Sequence, residues 1–208
     1  MELLLIRHAL PVRRELDTGI ADPELSPEGL EQAEHLGQYL AYEKIHTVYA
    51  SPLRRAQQTA IPVARQQGIE IITEDDVAEW DRHSNEYVPV EELKAANDPR
   101  WQAMLRGELQ EHQESPDIFN ARVISAVERC IANHGGQTIA IVCHGGVINA
   151  YLTHVLGLTQ YQQGFFYPNY TSIHRVAAAR SGERSIVTIN ETAHLRGSGL
   201  PMGIFQKS

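Results

Sequence analysis

Three short stretches of the chain carry residue types suited to handling an anion: Arg7-His8, Ser51-Pro52-Leu53-Arg54-Arg55 and His144-Gly145-Gly146. Arginine forks match phosphate oxygens two at a time. An imidazole with an ordinary pKa of about 6.5 is largely neutral at pH 7 and has a ring nitrogen free to react. Ser51-Pro52 and the glycines after His144 read as helix starts, whose free N–H groups and partial positive charge hold anions. Glycines beside His144 also let a backbone approach a ligand closely. Each stretch follows a short apolar run, at 3–6, 47–50 and 138–142. If those runs are parallel strands, their carboxyl ends share the edge where open α/β sheets bind ligands. The chemistry implied is a phosphate pocket holding a nucleophile.

The elements that must position these residues follow from periodicity and caps. Residues 3–6 are too short for a helix and suit a strand buried on both faces. After an irregular stretch, Ser26 and Pro27 open a helix whose inner face reads Leu30, Ala33, Leu36, Gly37, Leu40 and Ala41. Ser51-Pro52 is expected to open a second helix running to about Arg65, with Leu53, Ala56, Thr59, Ala60 and Val63 inward. Pro62 implies a kink or an earlier end. A third strand falls at 69–72. The segment 73–115 is longer than an ordinary loop and reads as an insertion or lid. A helix from Pro116 to about Asn133 turns Phe119, Val123, Ala126, Val127 and Cys130 inward, and Gly135-Gly136 ends it. One more helix follows His144. Two late strands, near 172–177 and 185–189, close the sheet, and the tail 192–208 has no periodicity. Strands alternating with helices predict one α/β domain over 1–208 with a mostly parallel sheet.

Composition narrows the function. Among 208 residues the net charge is −8, which suits neither nucleic acid nor an acidic membrane, so a local Arg and His cluster must attract any anionic substrate. No apolar run approaches the ~18 residues of a membrane span, and the first residues lack a secretory signal. Cys130 and Cys143 lack metal-type spacing and fit a reducing cytoplasm. The histidines form no metal-binding pair, and no G-x-G-x-x-G follows a strand, so neither a metal nor another cofactor is expected. The chain carries no signal for oligomeric state.

Four motifs in order, R-H at 7–8, L-S-P-x-G-x-x-Q-A at 25–33, S-P-L-R-R-A-x-x-T-A at 51–60 and V-C-H-G-G at 142–146, resemble the histidine phosphatase superfamily, in its phosphoglycerate-mutase-like branch. The resemblance implies a three-layer sandwich with helices on both faces of the sheet. It implies that His8 is a nucleophile forming phosphohistidine and that Arg7, Arg55 and His144 bind the phosphoryl oxygens, with Gly145 beside them. Arg55 is chosen over Arg54 because it directly precedes the motif alanine. The family's general acid falls on Glu79, with Asp81 as the fallback. Two departures matter. Ala9 stands at the family's usual glycine, and Pro11 and Arg14 stand where mutases carry a small hydroxyl residue and an asparagine. Arg14 and Asp81 become possible substrate contacts. The expectation is a metal-independent phosphatase for a phosphorylated small molecule. The alternatives are a mutase-type phosphotransferase or a low-activity phosphate-binding regulator.

Overall fold

β1 (Glu2–Arg7) is a strand whose side chains alternate between two cores. Leu3 and Leu5 join one apolar cluster and Leu4 and Ile6 the other, all four wholly buried. That double burial is why the run shows no polar alternation. At about 1.5–3 kcal/mol for each fully buried aliphatic side chain, β1 is a major anchor. The computed structural model describes residues 1–106, 108, 114–158 and 164–203. Residues 107 and 109–113 of the expected insertion, and 204–208 of the expected irregular tail, lie outside the described residues.

Chain order continues with β2 (Arg14–Glu15), α1 (Pro27–Leu40), β3 (Thr47–Ala50), α2 (Arg54–Gln67), β4 (Ile71–Thr73) and β5 (Glu86–Tyr87). Then come α3 (Val90–Ala95), α4 (Pro99–Leu105), α5 (Pro116–Asn133), β6 (Thr138–Cys143), α6 (Gly145–Val155), β7 (Ile173–Ala178) and β8 (Arg184–Glu191). The main sheet has the order β4-β3-β6-β1-β7-β8, and β2 and β5 form a separate ribbon. β1, β3, β4 and β6 run parallel, β7 runs antiparallel to β1, and β8 runs antiparallel to β7. Residues of α1 and α2 line one face of the sheet and residues of α5 and α6 the other, giving the three-layer α/β sandwich.

The register aligns the three anion-handling stretches. Arg7 pairs with Cys143 and Ala50 with Val142, so His8, Ser51 and His144 leave the sheet side by side. Backbone bonds extend the ladder one step, with His8 N donating to Cys143 O and Ser51 N to Val142 O.

Several local expectations shift. Ser51 is not the cap of α2. The helix starts at Arg54 with Leu53 at its cap, because Ser51 is still tied to the sheet. Pro62 does not end α2, which continues to Gln67. The inner face of α1 is Gly29, Gln32, Ala33, Leu36, Gly37 and Leu40, while Leu30 and Ala41 are exposed. Gly29 faces inward because α1 lies against the turn after His8. A Cβ at Gly29 would overlap the Leu10 carbonyl oxygen. Gln32 Oε1 accepts from Leu10 N at 2.8 Å. These contacts give two positions of the L-S-P-x-G-x-x-Q-A motif a physical role.

Gly29→Ala gains the helix preference of alanine, about 1 kcal/mol, yet forces its new carbon into backbone. A net destabilisation of about 1–3 kcal/mol is expected. It should appear in urea denaturation as a lowered midpoint with an unchanged slope. A midpoint equal to or above wild type would contradict this packing.

Candidate active site

The carboxyl ends of β1, β3 and β6 bring Arg7, His8, Arg55 and His144 into one buried cluster. The His8 and His144 rings lie 5.1 Å apart between centroids. His8 Nδ1 is 2.7 Å from Ala9 O. A carbonyl can only accept, so Nδ1 carries the proton and Nε2 keeps its lone pair. Burial lowers the His8 pKa well below its ordinary value, and the Arg55 and Arg7 charges push it further down. The ring is therefore neutral at pH 7. Ala9 is held in turn, its N–H donating at 2.9 Å to Thr59 Oγ1, which donates at 2.7 Å to Arg55 O. Thr59 thus links the β1 terminus to α2.

The two arginines are kept charged by specific neighbours. Burial works against the Arg7 cation, and Tyr170, Tyr167, Tyr87 and Glu91 outweigh that penalty. The Arg7 guanidinium sits 4.1 Å from the Tyr170 ring centroid, and its Nη1 donates to Pro168 O at 2.7 Å. Arg55 lies 4.7 Å from the Tyr87 ring centroid. Its Nη2 donates to both Asp81 oxygens, at 2.7 and 3.0 Å. Four buried nitrogens of the cluster, Arg7 Nε, Arg55 Nε and Nη1, and His144 Nδ1, have no hydrogen-bond partner among the described residues. A group with several anionic oxygens, such as phosphoryl, would satisfy them.

Glu79 stands beside this cluster. Its Oε2 accepts from Gly146 N at 2.8 Å and its Oε1 from Trp80 N at 3.1 Å. Burial raises its pKa to about 7, Asp81 adds to the rise, and the two backbone donors and Arg55 oppose it. A carboxyl with that pKa can give up and regain a proton near neutrality. Gly146 has no room for a side chain, since a Cβ there would overlap Glu79 Oε1 and lie 2.5 Å from Trp80 Nε1. Trp80 stacks on Phe119 at 3.8 Å, fixing the back of the acid's site.

The remaining expected residues are placed as follows. Gly145 opens α6, with free space where a Cβ would be. Asp81 is engaged with Arg55. Arg14 belongs to the ribbon opposite Tyr87 and is held by Glu24 Oε2 and Asp22 O, both at 3.4 Å. Arg54 lies off the cluster, paired with Glu24 at 2.9 Å. Sequence reasoning passed over Tyr87, Pro168 and Tyr170, which carried no signal, and read Ser51 at its strand end only as the cap of the following helix. Among the described residues no group of three or more His, Cys, Asp or Glu is arranged to hold a metal. No helix there is long and apolar enough to cross a membrane.

Comparison with known proteins agrees with this geometry. The sequence profile of the histidine phosphatase superfamily (branch 1) matches residues 3–192. Phosphoserine phosphatase 1 of Hydrogenobacter thermophilus is 31% identical over 206 residues, covering 94% of each chain. A mutant phosphoserine phosphatase of Entamoeba histolytica, solved with phosphoserine, has a TM-score of 0.68 at 23% identity, covering 93% of this chain and 98% of that one. A mycobacterial glucosyl-3-phosphoglycerate phosphatase has a TM-score of 0.69 at 20% identity, covering 92% and 99%. These two structural likenesses carry the fold alone.

The raised Glu79 pKa has a consequence for stability. The folded protein holds this proton more tightly than the unfolded chain does. The contribution therefore favours folding below pH 4.5 and is lost as pH rises through about 7. Glu79→Gln is neutral throughout and escapes that loss. Its stability relative to wild type, from urea unfolding across pH, should climb between 4.5 and 7 and then level off. A difference that stays flat with pH would mean that Glu79 titrates like an exposed carboxyl.

Proposed function

The chain belongs to the histidine phosphatase superfamily, branch 1, and from that membership we propose that it is a phosphatase hydrolysing a phosphomonoester through phosphohistidine on His8. The observation that carries this reading is the His8 tautomer. Its Nδ1 donates to Ala9 O, which leaves Nε2 as the nucleophilic atom beside four buried, unpartnered nitrogens of Arg7, Arg55 and His144.

In the first step Nε2 attacks phosphorus, the N–P bond forms and the P–O bond to the leaving group breaks. Glu79 gives its proton to the departing oxygen, so an alcohol leaves. Arg7, Arg55 and His144 hold the three equatorial oxygens, whose charge dominates the transition state of phosphoryl transfer. In the second step the Glu79 carboxylate takes a proton from water as the water oxygen attacks phosphorus. The P–N bond breaks and His8 recovers its lone pair. The Nδ1 bond to Ala9 O persists through both steps and carries the charge of the phosphorylated ring. Asp81 holds Arg55 in place, so the two nearby carboxylates have separate roles.

The surroundings favour hydrolysis over mutase chemistry. A mutase must hold a second phosphate, which needs further available cations. Among the described residues Arg13 pairs with Glu15, Arg14 and Arg54 with Glu24, and Arg100 with Asp98 and Glu86. Pro11 adds neither a hydroxyl nor an N–H. The substrate class proposed is therefore a small monoester with one phosphate. Phosphoserine, named in the 31% identical relative, is the first to test.

Hydrolysis of an aryl phosphate should survive chelator and vanish in His8→Ala. Glu79→Gln should slow alkyl phosphates about a hundredfold more than nitrophenyl phosphate, the scale of general acid catalysis. Turnover in His8→Ala, or equal losses with both leaving groups, would refute these roles.

With 3-phosphoglycerate, with or without 2,3-bisphosphoglycerate, free phosphate should outpace 2-phosphoglycerate. Primer-stimulated isomerisation about tenfold faster than phosphate release, a difference of about 1.4 kcal/mol between transition states, would make the protein a mutase.

A further inference from the structure

Ser51 sits where a helix cap is expected and caps nothing. It is wholly buried, and its hydroxyl makes two contacts. Oγ accepts from Leu53 N at 3.3 Å and lies 2.7 Å from His144 Nε2. The backbone N–H already supplies one proton to this oxygen. No other partner of this oxygen lies among the described residues, so the hydroxyl's own proton is satisfied only by turning to Nε2. An O–H aimed at Nε2 needs a lone pair there, which places the proton of a neutral ring on Nδ1.

The ring is neutral because burial lowers its pKa well below the ordinary value, and the nearby Arg55 charge lowers it further. Nδ1 is one of the buried nitrogens without a partner, in the cluster that also holds the unpartnered Arg55 and Arg7 nitrogens. Which atom His144 presents to a phosphoryl oxygen is decisive. An N–H at Nδ1 donates to it, whereas a lone pair at Nδ1 repels it. The backbone places the ring, but only a partner on Nε2 selects the form.

We propose that Ser51 is a positioning residue that fixes His144 as the Nδ1–H tautomer, so that the ring meets the phosphoryl group as a donor. This rests on the reading of His144 as a phosphoryl-binding residue. It assigns to the serine of the S-P-L-R-R-A stretch a role through His144, not at the start of α2. Outer partners that set the tautomer of a functional histidine are typically worth about 10–100-fold in affinity or activity.

The test combines spectroscopy and kinetics on the full chain. Long-range 1H–15N spectra of histidine rings at neutral pH, assigned with His144→Ala, should show the His144 proton on Nδ1 in wild type. Ser51→Ala should transfer a substantial share of it to Nε2. The same variant should lose about 10–100-fold in kcat/KM for an aryl phosphate and bind vanadate correspondingly less well. Ser51→Thr, which keeps the hydroxyl, should retain the wild-type tautomer. A wild-type His144 protonated on Nε2 overturns the proposal, even if Ser51→Ala fails to fold. So does a folded Ser51→Ala with wild-type tautomer and rate. Full activity in His144→Ala would instead remove the phosphoryl-binding role of His144, a separate failure that the spectra identify.

Discussion

Two guanidinium charges are buried at the ends of adjacent elements beside an imidazole, and much of the surrounding structure answers their cost. Taking an ion out of water costs several kcal/mol unless partners replace the solvent. Arg7 receives a tyrosine face and the Pro168 carbonyl from the far end of the chain, 161 residues away. Arg55 receives the Asp81 carboxylate and the Tyr87 ring. Neither set of partners is complete. The donors left over on the two arginines and His144 are what make the cluster a receptor for an anion rather than a closed ion-pair network.

Burial, together with the same positive field, sets the protonation states of the cluster. Burial first and the arginine charges second hold both histidines neutral, which keeps the lone pair on His8 Nε2 available. Glu79 and Asp81 are two residues apart and behave differently because their partners differ. Asp81 is spent on Arg55, whereas burial and the Asp81 charge, working against two backbone N–H donors, raise the Glu79 pKa to about 7. Gly146 makes this possible by giving up its side chain, so that the carboxyl can reach the start of α6. The proposed nucleophile, its proposed oxygen-holding partners and the proposed proton donor thus occupy one small volume without cancelling one another.

The cover over this volume comes from less regular pieces. The β2–β5 ribbon brings Tyr87 over Arg55, and α3 brings Glu91 against the hydroxyls of Tyr167 and Tyr170, each at 3.0 Å. Through Tyr170, Glu91 is one side chain removed from Arg7. Cover and floor of the cluster are therefore coupled by hydrogen bonds through the residues that seat the guanidinium.

Much of this was legible in the linear order of residues. The unbroken apolar runs at β1 and β6 announced strands buried on both faces, because period-two alternation disappears when both sides face a core. Strand ends carrying Arg7-His8 and His144 then implied one shared edge, and the register places them side by side there. What the chain could not announce was pairing between residues far apart. That β7 and β8 run antiparallel, that Tyr170 lies on Arg7, that Asp81 binds Arg55 and that Ser51 turns from capping α2 to His144 all depend on tertiary approach. Local sequence encodes burial period and backbone preference. Which lone pair meets which proton is decided only when the sheet brings distant strand ends within hydrogen-bonding distance.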